Sequence, residues 1–295
     1  MPVRKAGMPK GMRRWAAGSR PGGRALVLGG GGATGIAWEA GVLVGLADLG
    51  VDLRTADTMI GTSAGSVVAA HARSGTDFDD AFERLFSGEH VVPPGRIRGV
   101  DAVRFLVAQS VPHRRLGRAV LGRAAVRART APEEEWVAAI GERLTGAEFP
   151  DGLLITAVDA RTGASVVFDR DSGVPLERAM AASCAVPGVY PAVEINGRRY
   201  VDGGVRTVTN ADLAAGHERV VVIAPIAWSL RRTDRPHGLL AGLGPGVRST
   251  VVVPSHESLH AMGRDVLDMR RAPAAADAGR ADAARVVDRV RAVWE

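Results

Sequence analysis

Short apolar runs alternate with glycine-rich turns and helix-like segments along much of the chain. The run RALVL (24–28) predicts a buried strand, and GIAWEAGVLVGLADLG (35–50) predicts a helix that ends at Gly50. The same succession recurs at once, with a strand in TADTMIG (55–61) and a helix in SAGSVVAAHARSG (63–75). Two strand–turn–helix units in a row predict an α/β fold with a largely parallel sheet.

The pattern changes between residues 76 and 150 and returns afterwards. Helical, charged segments dominate 76–150, which we interpret as a helical insertion over the sheet edge and a candidate lid. After residue 150, the sequence predicts a hairpin around RTG within 152–169 and a helix in PLERAMAASCAVPGVYPAV that is broken at Pro187. It then predicts a strand in RRYVDGGV that runs into a glycine turn, and a last buried strand at 219–226. One or two helices are predicted from residue 255.

The composition is that of a globular protein with room for a large core. The chain has 295 residues and is 46% hydrophobic. It shows neither the apolar core of a signal peptide nor a transmembrane run of about 20 apolar residues, so we expect a cytoplasmic protein. We expect residues 1–23 to be a disordered basic tail and 24–295 to form a single domain, with 255–295 as its C-terminal helices.

The charge balance is basic, with a formal net charge of +6 carried almost entirely by arginine. Aromatic residues make up only 4% and no nucleic-acid-binding signature is present, so we expect no nucleic acid partner. The basic segment 112–130 is either a solvated helix face, the simpler interpretation, or a contact with an anionic membrane surface. The single cysteine, Cys184, excludes an intramolecular disulfide and a cysteine-rich metal site, and we interpret it as a small core residue.

Four consecutive glycines, Gly29–Gly32, follow the first strand, and their entropic cost needs a reason. A dinucleotide-binding loop of an oxidoreductase is one interpretation, but it needs an acid at the end of the second strand, and Asp52 precedes that strand. A tight turn alone needs only one or two glycines. We favour a third interpretation, in which backbone N–H groups form an oxyanion hole beside a nucleophile.

The motif GTSAG (61–65) supplies a candidate nucleophile. Gly61 and Gly65 flank Ser63 where a predicted strand turns into a helix, which is the context of a nucleophile elbow. The competing interpretation is a serine that caps the helix beside two packing glycines.

Two kinds of base could activate this serine. Asp202 ends a predicted strand and precedes Gly203 and Gly204, although DGG taken alone favours a hairpin turn. A Ser–Asp–His triad would instead need a later histidine, for which the candidates are His217, His237, His256 and His260.

Four stretches in order, GGGGATG (29–35), GTSAG (61–65), AASCAVPGVYPAV (181–193) and VDGG (201–204), together resemble the patatin-like phospholipase family over about residues 24–225. The resemblance implies a three-layer α/β/α fold with a mostly parallel central sheet, and hydrolysis of the acyl esters of lipids without metal or cofactor. The roles that it implies are a dyad of Ser63 and Asp202 and an oxyanion hole on the backbone of Gly30, Gly31 and Gly32, helped by the N–H of Ala64.

The chain departs from the family pattern at Thr34, where the glycine loop usually continues with arginine or lysine. A threonine hydroxyl can cap a helix that opens at Gly35, but it cannot attract an anionic head group. The departure leaves the dyad in place but removes the cation on which a preference for anionic phospholipids would depend. An α/β-hydrolase with a Ser–Asp–His triad and a catalytically silent lipid-binding relative stay as alternatives.

Overall fold

The computed structural model describes residues 23–75, 110–141 and 146–295, together with residues 78, 80, 82, 95, 108 and 144. Almost all of the predicted basic tail, and much of the predicted insertion between residues 76 and 109, lie outside the described residues. Both therefore stay predictions.

The described strands form one sheet, with the order β5-β6-β3-β2-β1-β7-β8 and with β4 also paired to β3. Strands β1, β2, β3, β7 and β8 pair in parallel, whereas β4, β5 and β6 pair antiparallel, so the predicted mostly parallel sheet is confirmed. The strands are β1 (Arg24–Leu28), β2 (Thr58–Gly61), β3 (Leu153–Asp159), β4 (Ser165–Phe168), β5 (Val193–Ile195), β6 (Arg198–Asp202), β7 (Arg219–Ile223) and β8 (Arg248–Val252).

Helices cover the two faces of the sheet. Alternate residues of β1 enter different cores, with Leu26 and Leu28 on one face and Ala25 and Val27 on the other, because neighbouring strand side chains point in opposite directions. This confirms the three-layer α/β/α class. The helices are α1 (Gly32–Asp48), α2 (Ala64–Arg73), α3 (Arg114–Val126), α4 (Glu133–Gly141), α5 (Leu176–Ser183), α6 (Pro236–Ala241), α7 (His256–Met262) and α8 (Ala272–Trp294).

Three predictions about the strands and helices are wrong. The run at 219–226 does not hold the last strand, because β8 follows β7 and pairs with it in parallel. Helix α5 ends at Ser183, before Pro187, and α1 begins at Gly32, three residues before the predicted start. The two helices α7 and α8 confirm the prediction for the segment after residue 255.

The last helix packs closely along the first. A Cβ on Gly41 of α1 would overlap the carbonyl of Ala276, and one on Gly279 of α8 would overlap the carbonyl of Trp38. The Trp38 indole N–H also donates to Asp282 Oδ2 at 2.9 Å. Helix α8 therefore shares the core that carries the glycine loop.

Strands β2 and β6 approach each other end to end along one edge of β3. On β3, Ile155 pairs with β4 on one side and with Gly61 of β2 on the other. Two residues further on, Ala157 pairs with β4 on one side and with Asp202 of β6 on the other. Because β2 runs parallel to β3 and β6 antiparallel, their carboxyl ends meet beside β3.

Candidate active site

Ser63 lies on a strained turn between β2 and α2. Its backbone has φ 52° and ψ −119°, a left-handed conformation that is uncommon for a residue with a side chain. A Cβ on Gly65 would overlap the backbone of Leu28, so the turn needs glycine there. The Ser63 side chain makes no capping hydrogen bond to α2, which argues against the simple helix-cap interpretation.

Asp202 lies at the end of β6 and is only 5% exposed. Its Oδ1 accepts the Gly204 N–H at 2.7 Å, and the Ser63 side chain lies close enough to influence its pKa. Burial raises the pKa of Asp202 to about 6, although the Ser63 side chain and the Gly204 N–H act to lower it. The structure thus brings the two predicted dyad residues together, with a carboxyl group of increased basicity.

The glycine loop lies against Ser63, since a Cβ placed on Gly30 would be 3.5 Å from the Ser63 Cβ. The Gly30 N–H itself donates to the Val208 carbonyl at 2.8 Å, so this predicted oxyanion donor is already engaged. Among the described residues, the N–H groups of Gly31, Gly32 and Ala64 have no acceptor. An oxyanion hole here would therefore use those three donors.

A buried acid on α1 fixes the start of the glycine loop. Glu39 is fully buried, and its Oε1 accepts the Gly29 N–H at 2.8 Å. Burial raises the pKa of Glu39 well above its usual range, which favours the neutral acid. Sequence analysis missed this residue, although an acid inside an otherwise apolar helix is a signal that can be seen in the sequence.

A polar hub lies beneath the dyad, centred on the buried Asn210. Its Nδ2 lies 3.0 Å from Thr62 Oγ1 and 3.3 Å from Thr156 Oγ1, and the two hydroxyls are 2.9 Å apart. The same nitrogen lies 3.3 Å from the Gly203 carbonyl and 2.9 Å from that of Thr207. Asn210 thus joins the residue before Ser63, the middle of β3 and the residue after Asp202.

The C-terminal end of α5 also contacts Ser63. The Ser183 hydroxyl accepts the Ser63 N–H at 2.9 Å, so this N–H is not free for an oxyanion. Cys184 is buried, as predicted for a core residue, but its thiol also hydrogen-bonds the side chains of Ser63 and Ser66. Burial and the charge of Asp202 raise the pKa of Cys184 to about 12, so it stays a neutral thiol.

The segment between α7 and α8 contacts the glycine loop. The Val266 carbonyl accepts the Thr34 N–H at 3.1 Å, and the Thr34 hydroxyl is 3.5 Å from the same carbonyl. The prediction that Thr34 caps a helix opening at Gly35 is therefore wrong, because the helix begins earlier and the hydroxyl points to Val266. No sequence pattern had connected this C-terminal segment with the site.

The alternative chemistries find little support in the geometry. His217 bonds the Ala214 carbonyl and Thr58 Oγ1, at the far end of β2 from Ser63, and no hydrogen bond joins His237, His256 or His260 to the dyad. Asp52, the acid considered for a dinucleotide site, is paired with Arg54. Within the described ranges, no group of three or more His, Cys, Asp or Glu side chains could hold a metal ion, and no helix is long and apolar enough to cross a membrane.

An elbow serine beside a buried carboxyl group, at the carboxyl end of a parallel strand in an α/β/α sheet, is an arrangement found in serine hydrolases. The family model described as "Patatin-like phospholipase" matches residues 26–215, and this chain belongs to that family. Membership supports a lipid acyl hydrolase in general.

Solved structures with similarity to the chain include two bacterial proteins. VipD from Legionella pneumophila is 14% identical, with 92% of this chain and 67% of that chain covered and a TM-score of 0.44. ExoU from Pseudomonas aeruginosa, solved in complex with SpcU, is 20% identical, with 94% and 54% covered and a TM-score of 0.40. This chain thus spans about half the length of ExoU.

Proposed function

We propose that this protein is a serine acyl hydrolase of the lipase or phospholipase A type, which cleaves acyl esters of lipids with a dyad of Ser63 and Asp202. The observation that carries the proposal is the placement of the strained Ser63 beside the buried Asp202, where β2 and β6 meet. Family membership supports the substrate class.

In the first half of the reaction, Ser63 Oγ attacks the carbonyl carbon of the ester while Asp202 takes the hydroxyl proton. The carbonyl electron pair moves onto oxygen, where the N–H groups of Gly31, Gly32 and Ala64 stabilise the negative charge. Such a donor contributes roughly 3–4 kcal/mol to the transition state. When the carbon–oxygen bond to the alcohol breaks, Asp202 returns the proton to the leaving oxygen.

In the second half, a water molecule attacks the acyl-serine and gives its proton to Asp202. The bond to Ser63 Oγ then breaks, the serine regains the proton, and the fatty acid leaves. Asp202 must act as base and acid in turn, and a pKa of about 6 suits both roles near neutral pH better than that of an ordinary aspartate.

A peripheral contact with an anionic membrane is a second part of the proposal. On α3, Leu116 and Val120 are 52% and 56% exposed and lie one turn apart. The helix also carries four arginines and no acid, so its exposed apolar residues lie among positive charges. This combination is typical of a helix that rests on a lipid surface.

The test is labelling with a fluorophosphonate probe, read by intact mass. We expect one adduct on the wild type, none on Ser63→Ala, and an unchanged adduct on Ser249→Ala, which removes an exposed serine on β8. Asp202→Asn should stay folded and lose turnover of a lipid ester.

Three results would contradict the proposal. An adduct that persists on Ser63→Ala would exclude this nucleophile, and near-normal turnover by Asp202→Asn would exclude this base. A folded wild type that stays unlabelled, also in detergent micelles, would favour a silent lipid-binding protein.

A further inference from the structure

A cavity of about 310 Å³ lies behind the loop that follows Asp202. Its described walls come from α3, from residues 205–207, and from residues 231–239, and neither Ser63 nor Asp202 lines it. We propose that this cavity binds a phosphate-bearing anion.

The described residues of the walls carry more positive than negative charge, with four arginines against two aspartates. Each aspartate is already paired, Asp234 with Arg114 at 2.7 Å and Asp212 with Arg206. These pairs leave two guanidinium groups in excess, on Arg118 and Arg231. Arg231 donates to the Val111 carbonyl at 2.9 Å, a contact that does not neutralise its charge.

Arg118 is the arginine in these walls whose positive charge is least compensated. Its Nε is buried and has no hydrogen-bond partner within the described part of the chain. Three other arginines, Arg206, Arg114 and Arg115, lie within electrostatic range, and only Asp234 opposes them. Burial and these neighbouring charges lower the pKa of Arg118. A bound anion would pair with the guanidinium group of Arg118 and offset the repulsion between the arginines.

The chemistry of the walls favours phosphate. Guanidinium groups pair with the oxygens of phosphate in a two-pronged geometry, and Thr207 and Thr233 add hydroxyls to the same walls. The volume is at the small end of ligand pockets, which suits a phosphate or glycerol phosphate group without acyl chains. Either a free phosphate compound or the head group of a lipid carries this chemistry.

The cavity is linked to the loop that carries Asp202. Arg206 lies four residues after Asp202, and its Nη1 donates to Asn210 Oδ1 at 2.7 Å. Asn210 in turn contacts Thr62, next to Ser63. The anion would therefore contact Arg206, in the loop that follows Asp202. Binding of the anion does not depend on the proposed hydrolysis.

The test is calorimetric titration of the full chain with inorganic phosphate and with glycerol 3-phosphate. Arg118→Gln should weaken binding by about tenfold or more, since it removes a hydrogen bond to a charged group. Arg123→Gln removes the same charge from an exposed position on α3 outside the cavity, and should leave the affinity unchanged. Asp234→Asn removes an opposing charge and should tighten binding, so the proposal stays testable if Arg118→Gln fails to fold.

A second arm separates the two sources of phosphate. Sedimentation with phosphatidylcholine vesicles that contain phosphatidic acid should depend on Arg118, and compete with inorganic phosphate, if the cavity takes a lipid head group. If the calorimetric titration depends on Arg118 but vesicle sedimentation does not, the ligand is a free phosphate compound. Absence of saturable phosphate binding, equal losses in Arg118→Gln and Arg123→Gln, or no gain in Asp234→Asn would each overturn the proposal.

Discussion

Asp202 is a carboxyl group whose surroundings favour the neutral form, yet the proposed reaction needs the charged form. Burial opposes ionisation, while the Gly204 N–H and the neighbouring Ser63 side chain favour it. The resulting pKa of about 6 lies close to the pH at which a base of this kind works best.

The activity should follow the ionisation of Asp202. We expect kcat/KM for a soluble ester to rise about tenfold per pH unit below pH 6 and to level off near pH 7, because only the carboxylate can accept the Ser63 proton. The measurement is a pH–rate profile between pH 4.5 and 8. An acidic limb centred near pH 4 would mean that Asp202 titrates like an exposed aspartate, or that another group limits the rate.

Ionisation of Asp202 should also lower the free energy of unfolding. In the unfolded chain Asp202 loses its proton near pH 3.9, whereas the folded protein keeps the proton to about pH 6. Between these values the folded state binds more protons, so its stability falls as the pH rises.

Replacing Asp202 by Asn removes this cost. The variant should therefore be more stable than the wild type above pH 6, by up to about 3 kcal/mol, and equally stable below pH 4. Denaturant unfolding at both pH values measures the difference, and a variant less stable at pH 7 would contradict this account.

At the residue scale, short motifs marked the candidate dyad but not its supporting contacts. The pattern of GTSAG was enough to single out Ser63, whereas Asp202 also needed VDGG to stand in order with the other motifs of the family. The contacts of Gly30 with Val208, Ser63 with Ser183 and Thr34 with Val266 join residues that are far apart in the chain. No local pattern encodes such pairs, and the engaged N–H of Gly30 could not be foreseen.

At the element scale, the loop after β6 is the main connection between the parts of the site. Its 3₁₀ turns cover Gly203–Val205 and Ala211–Ala214, and Asn210 lies between them with φ 52°. Asparagine tolerates this left-handed conformation better than most residues. Its side-chain amide then fixes the loop to β2 and β3.

Replacement of Asn210 by Asp tests this connection. The variant keeps the shape and tolerates the backbone conformation, but it loses the N–H donors that reach Thr62 and Thr156 and buries a carboxyl group. We expect the free energy of unfolding to fall by about 1–3 kcal/mol, because buried partners lose a hydrogen bond. We also expect kcat to fall by about tenfold or more, because the loop that carries Asp202 is no longer held in place.

Asn196→Asp is the matched control, because Asn196 has the same φ of 52° in the exposed turn between β5 and β6. Its esterase activity and melting temperature should equal those of the wild type. Equal activity of both variants would show that the hub has no role in positioning the dyad.

The strands that sequence analysis missed share a physical cause. Strand β8 starts with exposed residues and is buried only at its last two, and β5 has three residues with the central one exposed. Neither forms a continuous apolar run or a long alternation. Strands β1 and β7 are buried over nearly their whole length and were found at once.

At the scale of the whole molecule, the net charge of +6 and the exposed face of α3 predict binding to anionic membranes that depends on salt. We expect sedimentation with phosphatidylglycerol vesicles at low salt and release at about 1 M salt, where the Debye length is about 3 Å. Leu116→Glu with Val120→Glu should weaken the binding.

Leu49→Glu with Leu259→Glu is the control for this experiment, since it adds the same two negative charges at residues that are 43% and 50% exposed outside α3. It should sediment with vesicles like the wild type. If the control and the α3 variant lose vesicle binding equally, the binding depends on net charge alone. The α3 face would then not be a specific membrane-binding surface.

The end-to-end meeting of β2 and β6 along β3 has a consequence for the newly made chain. The nucleophile is synthesised 139 residues before its base, and Val266, which holds the glycine loop, follows later still. A chain that is still being synthesised therefore carries Ser63 before Asp202 and Val266 exist. Under the proposed mechanism, reactivity toward lipid esters would arise only after both have been synthesised and the sheet has closed.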